Sequence, residues 1–160
     1  MSDEMEKDKD KTDEPEGPLD MLRRKYSSGE RLPGKRDQPY LLDTEDEGVQ
    51  AWANVHEGKG LIDVKVFPFE RGSLPANFLT YDIPPGASEG VHTHQLNDPV
   101  EGSFDEFYYI VSGEGQMEIG DEIVPVKAGD YVFTPIGVPH GIENTSSTTN
   151  LKVSLTFIYR

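Results

Sequence analysis

From Tyr40 to its end the chain repeats short runs in which apolar and polar residues alternate. They fall at Tyr40–Leu42, Val49–Val55, Leu61–Phe69, Ala76–Ile83, Gly90–Gln95, Glu106–Val111, Gly115–Ile119, Glu122–Val126, Asp130–Thr134, Gly141–Asn144 and Leu151–Tyr159. Gly, Pro, Asn and Asp separate the runs, with tight-turn signals at Pro84-Pro85-Gly86 and Gly120-Asp121. β-branched and aromatic residues suit a pleated, half-buried surface. Many short strands joined by turns, with no helical period between them, predict an all-β antiparallel sandwich or barrel.

The first part of the chain reads differently. Met1 to about Pro18 is highly charged and nearly devoid of large apolar groups, so it buries too little surface to offset the entropy of ordering, and a disordered acidic tail over residues 1–18 is expected. Residues 19–48 form an N-terminal extension, in which Leu19, Leu22 and Tyr26 share one face of a short peripheral helix that ends by Ser27-Ser28-Gly29. The barrel is expected over residues 49–160, a length suited to one domain with a single core.

Charge narrows the partners. The formal net charge is −15, and Met1–Glu16 contributes eight of the thirty acids and three of the fifteen bases. The remaining 22 acids and 12 bases leave the body acidic in its own right. Such a surface repels phosphate backbones and anionic lipid, which argues against nucleic acid and membrane as partners. The chain has no cysteine, so thiolate ligands and disulfides are excluded. No apolar run is long enough to span a bilayer and no apolar stretch follows the N-terminal lysines, so a cytoplasmic protein is expected.

Three of the four histidines fall in two short segments: Gly86-x5-His92-x-His94 with Glu106 and Gly113, and Gly129-x5-Pro135-x-Gly137-x2-His140-x3-Asn144. A His-x-His pair on a strand turns both rings to one face, because side chains alternate with period 2. A carboxylate and a third imidazole from neighbouring strands then complete a metal site. If Glu106 faces inward, Tyr108 and Ile110 on the same run do too, placing the Tyr108 phenol near the metal. Neutral imidazoles with one carboxylate suit divalent Fe, Mn, Ni, Co or Zn.

These paired motifs resemble those of the cupin family, small jelly-roll β-barrels that usually hold one divalent metal with three His and one Glu. The resemblance covers about residues 60–160 and implies a single barrel with His92, His94, Glu106 and His140 as metal ligands. All five positions of the second motif match, and Glu106-x6-Gly113 is intact. The first motif departs from the pattern: eleven residues, Gln95–Asp105, separate His94 from Glu106. An elongated loop pinned at both ends beside the site reads either as a lid or as a solvated surface excursion. It also carries Asp98 and Glu101 as alternative carboxylates.

Other residues receive plainer readings. His56 has no partner nearby in sequence and is taken as a solvated or hydrogen-bonded residue. Gly86, Gly113, Gly129 and Gly137 are turn residues, and Asn144 braces its loop. Phe107, Tyr109, Tyr131, Phe133, Phe157 and Tyr159 are assigned to barrel core or subunit contact. Val49–Trp52 and Leu151–Tyr159 are candidates to pair across a homodimer, as many cupins dimerise.

The first functional reading is a metal-dependent enzyme acting on a small polar metabolite, with O2-dependent oxidation or cleavage (dioxygenase or oxidoreductase chemistry) ahead of isomerase, lyase or cyclase chemistry at a Lewis-acid metal. Tyr108 is its candidate catalytic residue, as acid/base or orienting group. A barrel that binds a small-molecule ligand without turnover is the alternative from a different class, and a structural or storage barrel is the third. The step from site to reaction rests on family analogy.

Overall fold

A computed structural model describes residues 44–67 and 76–160. The expected tail, the short helix, the strand at Tyr40–Leu42 and the end of the Leu61–Phe69 run lie outside the described residues. Among the described residues, ten strands follow in chain order: β1 (Gln50–Ala53), β2 (Leu61–Val66), β3 (Ala76–Ile83), β4 (Ser88–His92), β5 (Phe104–Ser112), β6 (Glu114–Ile119), β7 (Glu122–Lys127), β8 (Tyr131–Thr134), β9 (His140–Glu143) and β10 (Leu151–Tyr159). A single 3-10 turn, Val55–Glu57, interrupts the chain between β1 and β2. The runs read from sequence correspond to these strands, and β3 and β10 match residue for residue.

Two antiparallel sheets face each other. The larger has the order β1-β2-β3-β10-β5-β8 and the smaller β4-β9-β6-β7. Inward positions of both supply one core, which includes Ile62, Tyr81, Tyr108, Met117, Ile142 and Leu155. In β10, Leu151, Val153, Leu155 and Phe157 point inward and alternate with half-buried Lys152, Ser154, Thr156 and Ile158. Each such buried aliphatic contributes about 1.5–3 kcal/mol. No helix among the described residues is long and apolar enough to cross a membrane.

One expectation needs correction. β10 is hydrogen-bonded to β3 on one side and β5 on the other. Both of its edges are therefore taken, and it cannot pair across a dimer. The other segment assigned to that role carries β1, which borders the larger sheet and pairs with β2. Of the six aromatics assigned to core or subunit contact, Phe157 is buried, whereas Tyr109, Tyr131, Phe133 and Tyr159 are exposed. For four of the six, strand parity sets the direction: with Tyr108 turned inward, Phe107 and Tyr109 face outward, as do their cross-strand partners Phe133 and Tyr131.

Turns fix how the site-bearing strands meet. Gly137, at φ 89°, turns the chain before β9, and its amide donates to the His94 carbonyl. A side chain at that φ would be strained. Asn144 braces its loop as expected, donating to the carbonyls of Ile83 and Thr149 and accepting from the Ser146 amide.

Candidate metal centre

His92, His94, Glu106 and His140 converge inside the barrel, all buried, with one ligand atom from each lying within 4.8 Å of the others. His92 ends β4, and His140 opens β9 directly opposite it in register. Glu106 comes from β5, in the facing sheet. His94 departs from the expectation, because β4 ends at His92 and His94 lies beyond the strand. Its place is set instead by the Gly137 amide on its carbonyl and by its ring Nδ1, 2.8 Å from the Glu101 carbonyl.

Each imidazole is oriented by a backbone acceptor. Nδ1 of His92 faces the Gly90 carbonyl at 3.1 Å, and Nδ1 of His140 faces the Val138 carbonyl at 2.8 Å. With Nδ1–H donating outward in all three rings, every Nε2 presents a lone pair to the centre, the arrangement found in metal-bound histidine. The separations are 3.1 Å between the Nε2 atoms of His92 and His94, and 3.2 and 2.9 Å from Glu106 Oε2 to Nε2 of His94 and His140. Donors about 2.1 Å from a common ion sit roughly 3 Å apart when at right angles to one another. Four acceptors crowded at that spacing in a buried site are reconciled by a cation, so the residues fit one divalent metal.

At two of the four groups, His92 and Glu106, the electrostatics agree with that fit. Burial, with the nearby His56 and His140, lowers His92 to about 3, which keeps its imidazole neutral. Burial would raise Glu106, but the adjoining His140 and His94 rings outweigh it and hold the carboxyl down at about 2. His140 is raised, because its closeness to Glu106 overcomes the opposing effect of burial.

The insertion is tied to the centre. Asp98 Oδ1 accepts from the amides of Val100 and Glu101, which folds the loop back so that the Glu101 carbonyl reaches His94. Asp98 therefore serves its own loop, and the Glu101 carboxylate turns to His56, 2.9 Å from its Nδ1. Neither belongs to the four-residue group. At the far end, buried Asp105 accepts from the Ile136 amide and pairs with Arg160. One loop thus connects three ligand-bearing segments, and reading it as a detachable cover is not adequate.

Two residues escaped the sequence reading. His56 is only 20 % exposed in its side chain and stacks on His92, with ring centroids 3.7 Å apart and planes 9° from parallel. It arrives on a turn in which Asn54, His56 and Glu57 all have left-handed φ. The cluster Asn54-x3-Gly58-x-Gly60 was the available signal for such a turn. Glu89 is buried on β4, with one oxygen 3.1 Å from the Tyr81 hydroxyl and the other 2.9 Å from that of Tyr108. Burial and Glu106 raise its pKa, opposed by His56, Tyr108 and His140. Strand parity hides this residue, because Glu89 and His92 are three apart. A register break between them turns both inward, while Val91 lies exposed.

Comparison with known proteins places the fold and the site in a family. The cupin domain family matches residues 79–159, and the chain belongs to it. A curated relative, an oxalate-binding protein of Thermotoga maritima, is 46% identical over 101 residues, covering 60% of this chain and 75% of the relative. The crystal structure of a "predicted oxalate decarboxylase" from Thermotoga maritima superposes with a TM-score of 0.67 at 31% identity, covering 75% of this chain and 100% of that one. A conserved-barrel cupin from Salinispora arenicola shares the fold at 16% identity and a TM-score of 0.58, covering 78% of this chain and 91% of its own.

Proposed function

We propose that this cupin holds one divalent transition metal on His92, His94, Glu106 and His140 and takes a small carboxylic acid onto that metal. The observation that carries the reading is the convergence of three outward-anchored imidazoles and one carboxylate on a single buried point. The ligand class is supported by the oxalate-binding relative. When bound, the metal supplies a Lewis acid that polarises carboxylate oxygens. The chain's own residues fix the rings, exclude water and surround the acid with polar groups.

Loss of CO2 from the acid is the reaction class to test first, since the similar solved structure is that of a predicted oxalate decarboxylase. The O2-dependent oxidation placed first on sequence grounds has no counterpart in the names of these relatives. Tyr108 has a restricted part in this reading. Its phenol is buried, raised above its ordinary value chiefly by that burial, and donates to Glu89, which supports the orienting role.

The test is metal analysis followed by calorimetric titration with oxalate and other short carboxylic acids, with CO2 release measured in parallel. About one ion per chain and metal-dependent binding are expected, both lost in His92→Ala. Unchanged metal content in the His92, His94 and His140 alanine variants would remove the reading.

A further inference from the structure

His56 and Glu101 stand outside the four-ligand group, yet each touches a histidine of the first motif. The His56 ring stacks on His92, with centroids 3.7 Å apart. Its Nδ1 lies 2.9 Å from Glu101 Oε2 and donates to that carboxylate. A neutral imidazole with its proton on Nδ1 is enough for this bond. Glu101 also accepts from His94 Nδ1 through its main-chain carbonyl, at 2.8 Å, and its amide donates to Asp98 Oδ1. Amide, carbonyl and carboxylate of Glu101 are thus all engaged, the last two on paths that end at a ligand ring.

The chain takes a strained course to bring His56 there. Its φ and ψ are both 46°, and Asn54 and Glu57 on the same turn are left-handed too. A Cβ on Gly58 would fall 2.1 Å from the Ser88 carbonyl oxygen, and one on Gly90 would fall 1.9 Å from that of His56. The turn therefore lies against β4 with bare backbone on both sides, held by the pair of hydrogen bonds between Lys59 and Ser88. Left-handed backbone at non-glycine residues persists only where the surroundings over-determine it, and it clusters at ligand clamps. What this crossing delivers is an imidazole over His92.

The side chains of His92, His94, Glu106 and His140 are no more than 4 % exposed, against 20 % for His56 and 31 % for Glu101. Their bond joins the turn between β1 and β2 to the insertion between β4 and β5, on the solvent side of the ligands. His56 Nε2 stands 3.9 Å from Glu89 Oε1, beyond hydrogen-bond reach, so the bond to Glu101 is what fixes the ring. Ligand atoms of His56, Glu89 and His92 also lie within 4.8 Å of one another. That trio is not a second metal site, because His92 has its Nδ1 on the Gly90 carbonyl and its Nε2 at the four-ligand centre.

We propose that His56 and Glu101 are positioning residues that latch the two histidines of the first motif. Glu101 holds the His94 ring with its carbonyl and the His56 ring with its carboxylate, and His56 in turn holds the plane of His92. The insertion thereby governs the geometry of the metal and the rate at which it is lost. This rests on the metal reading above. Groups that orient ligand rings alter metal affinity by about 10–100-fold, and the latch acts on two of the four ligands.

The experiment uses full-length protein loaded with Co(II), whose visible absorption reports the number and arrangement of its ligands. Metal content, the spectrum at full occupancy and the rate of metal loss to excess chelator are measured. His56→Asn removes the stacked ring, suits left-handed backbone and leaves an amide N–H donor close to the position of Nδ1. Glu101→Ala removes the carboxylate and leaves the carbonyl. Both are expected to change the spectrum and to speed metal loss by about tenfold or more. The double variant should lose metal no faster than the quicker single one, because the two residues act in series. Glu101→Gln, whose amide oxygen still accepts from Nδ1, should restore the wild-type spectrum and rate. A wild-type spectrum and rate in Glu101→Ala overturn the proposal, as do effects that multiply in the double variant or a second ion per chain that disappears in His56→Asn. Faster loss with an unaltered spectrum also overturns it, since loosened packing alone would produce that. If His56→Asn gives no cooperative melt, the two Glu101 variants decide. Wild-type protein that binds no Co(II) removes the metal reading and the latch with it, an outcome that wild-type metal content separates from failure of the latch alone.

Discussion

β10 and β4 solve opposite problems with the same backbone. β10 runs nine residues between two full neighbours, and every second side chain enters the core. β4 runs five residues, is paired on one side by β9, and loses register between Glu89 and His92. That irregularity lets two residues of odd separation both face inward, which an unbroken pleat forbids. The turn carrying His56 crosses the other side of β4, where Lys59 and Ser88 exchange backbone hydrogen bonds. Stability is concentrated where the repeat is unbroken, and chemistry where it is broken.

The largest expected effect breaks the irregular member of the pair. A Cβ on Gly90 would sit 1.9 Å from the His56 carbonyl oxygen, a backbone atom. Gly90→Ala should therefore destabilise the fold by about 3 kcal/mol or more, whereas Ser154→Ala on β10 should stay within about 0.5 kcal/mol. Chemical denaturation of both variants checks the contrast.

Metal sharpens it. An ion that binds only the native state at 100 times its dissociation constant adds about 2.7 kcal/mol. That increment should vanish with chelator and in His140→Ala, and the added amide protection should fall on residues 88–94 and 135–140 more than on β10. Hydrogen exchange with and without metal measures the distribution. Identical melts in chelator and in excess metal would dispose of the metal reading.

A smaller effect is expected at Asp105, which joins the insertion to Ile136 and Arg160. Asp105→Asn should cost about 1–3 kcal/mol and loosen metal. Burial alone would raise the Asp105 carboxyl, but Arg160 and the Ile136 amide hold it below its ordinary value. A group depressed in the folded state stabilises above its unfolded pKa, near 3.9, and loses that contribution as pH falls through the folded value. The difference between wild type and Asp105→Asn should thus shrink on acidification below about pH 4, as read by urea titrations along a pH series.

The smallest effect concerns the His56 turn. Glu57, at φ 63°, sits in a region that glycine occupies at no steric cost. Glu57→Gly should raise stability by about 0.5 kcal/mol, the difference between relieved strain and added unfolded-state entropy. A shift of the melting midpoint downward would show that the carboxylate has a part in the turn.

Legibility in the sequence followed the same division. The alternation in Ala76–Ile83 and Leu151–Tyr159 gave both strands to the residue, because that relation is local and periodic, whereas the four clustered residues were picked out by the spacing of the family's two motifs. Glu89 was missed where the register breaks, and His56 because its partner His92 lies 36 positions away and is reached only through a chain crossing. Parity on β5 was legible for Tyr109 once Tyr108 was placed inside, whereas the outward face of Tyr131 follows only from its cross-strand pairing with Tyr109.

The crossing at Ser88 has a further consequence, for assembly. A strand at the end of a sheet offers unpaired backbone groups to any other chain. On β4 the bonds from Lys59 occupy those groups at Ser88, and on β7, the opposite end of the same sheet, Pro125 removes a donor between the charged Glu122 and Lys127. Among the described residues, both borders of the smaller sheet, which carries His92 and His140, are blunted against recruiting a foreign strand.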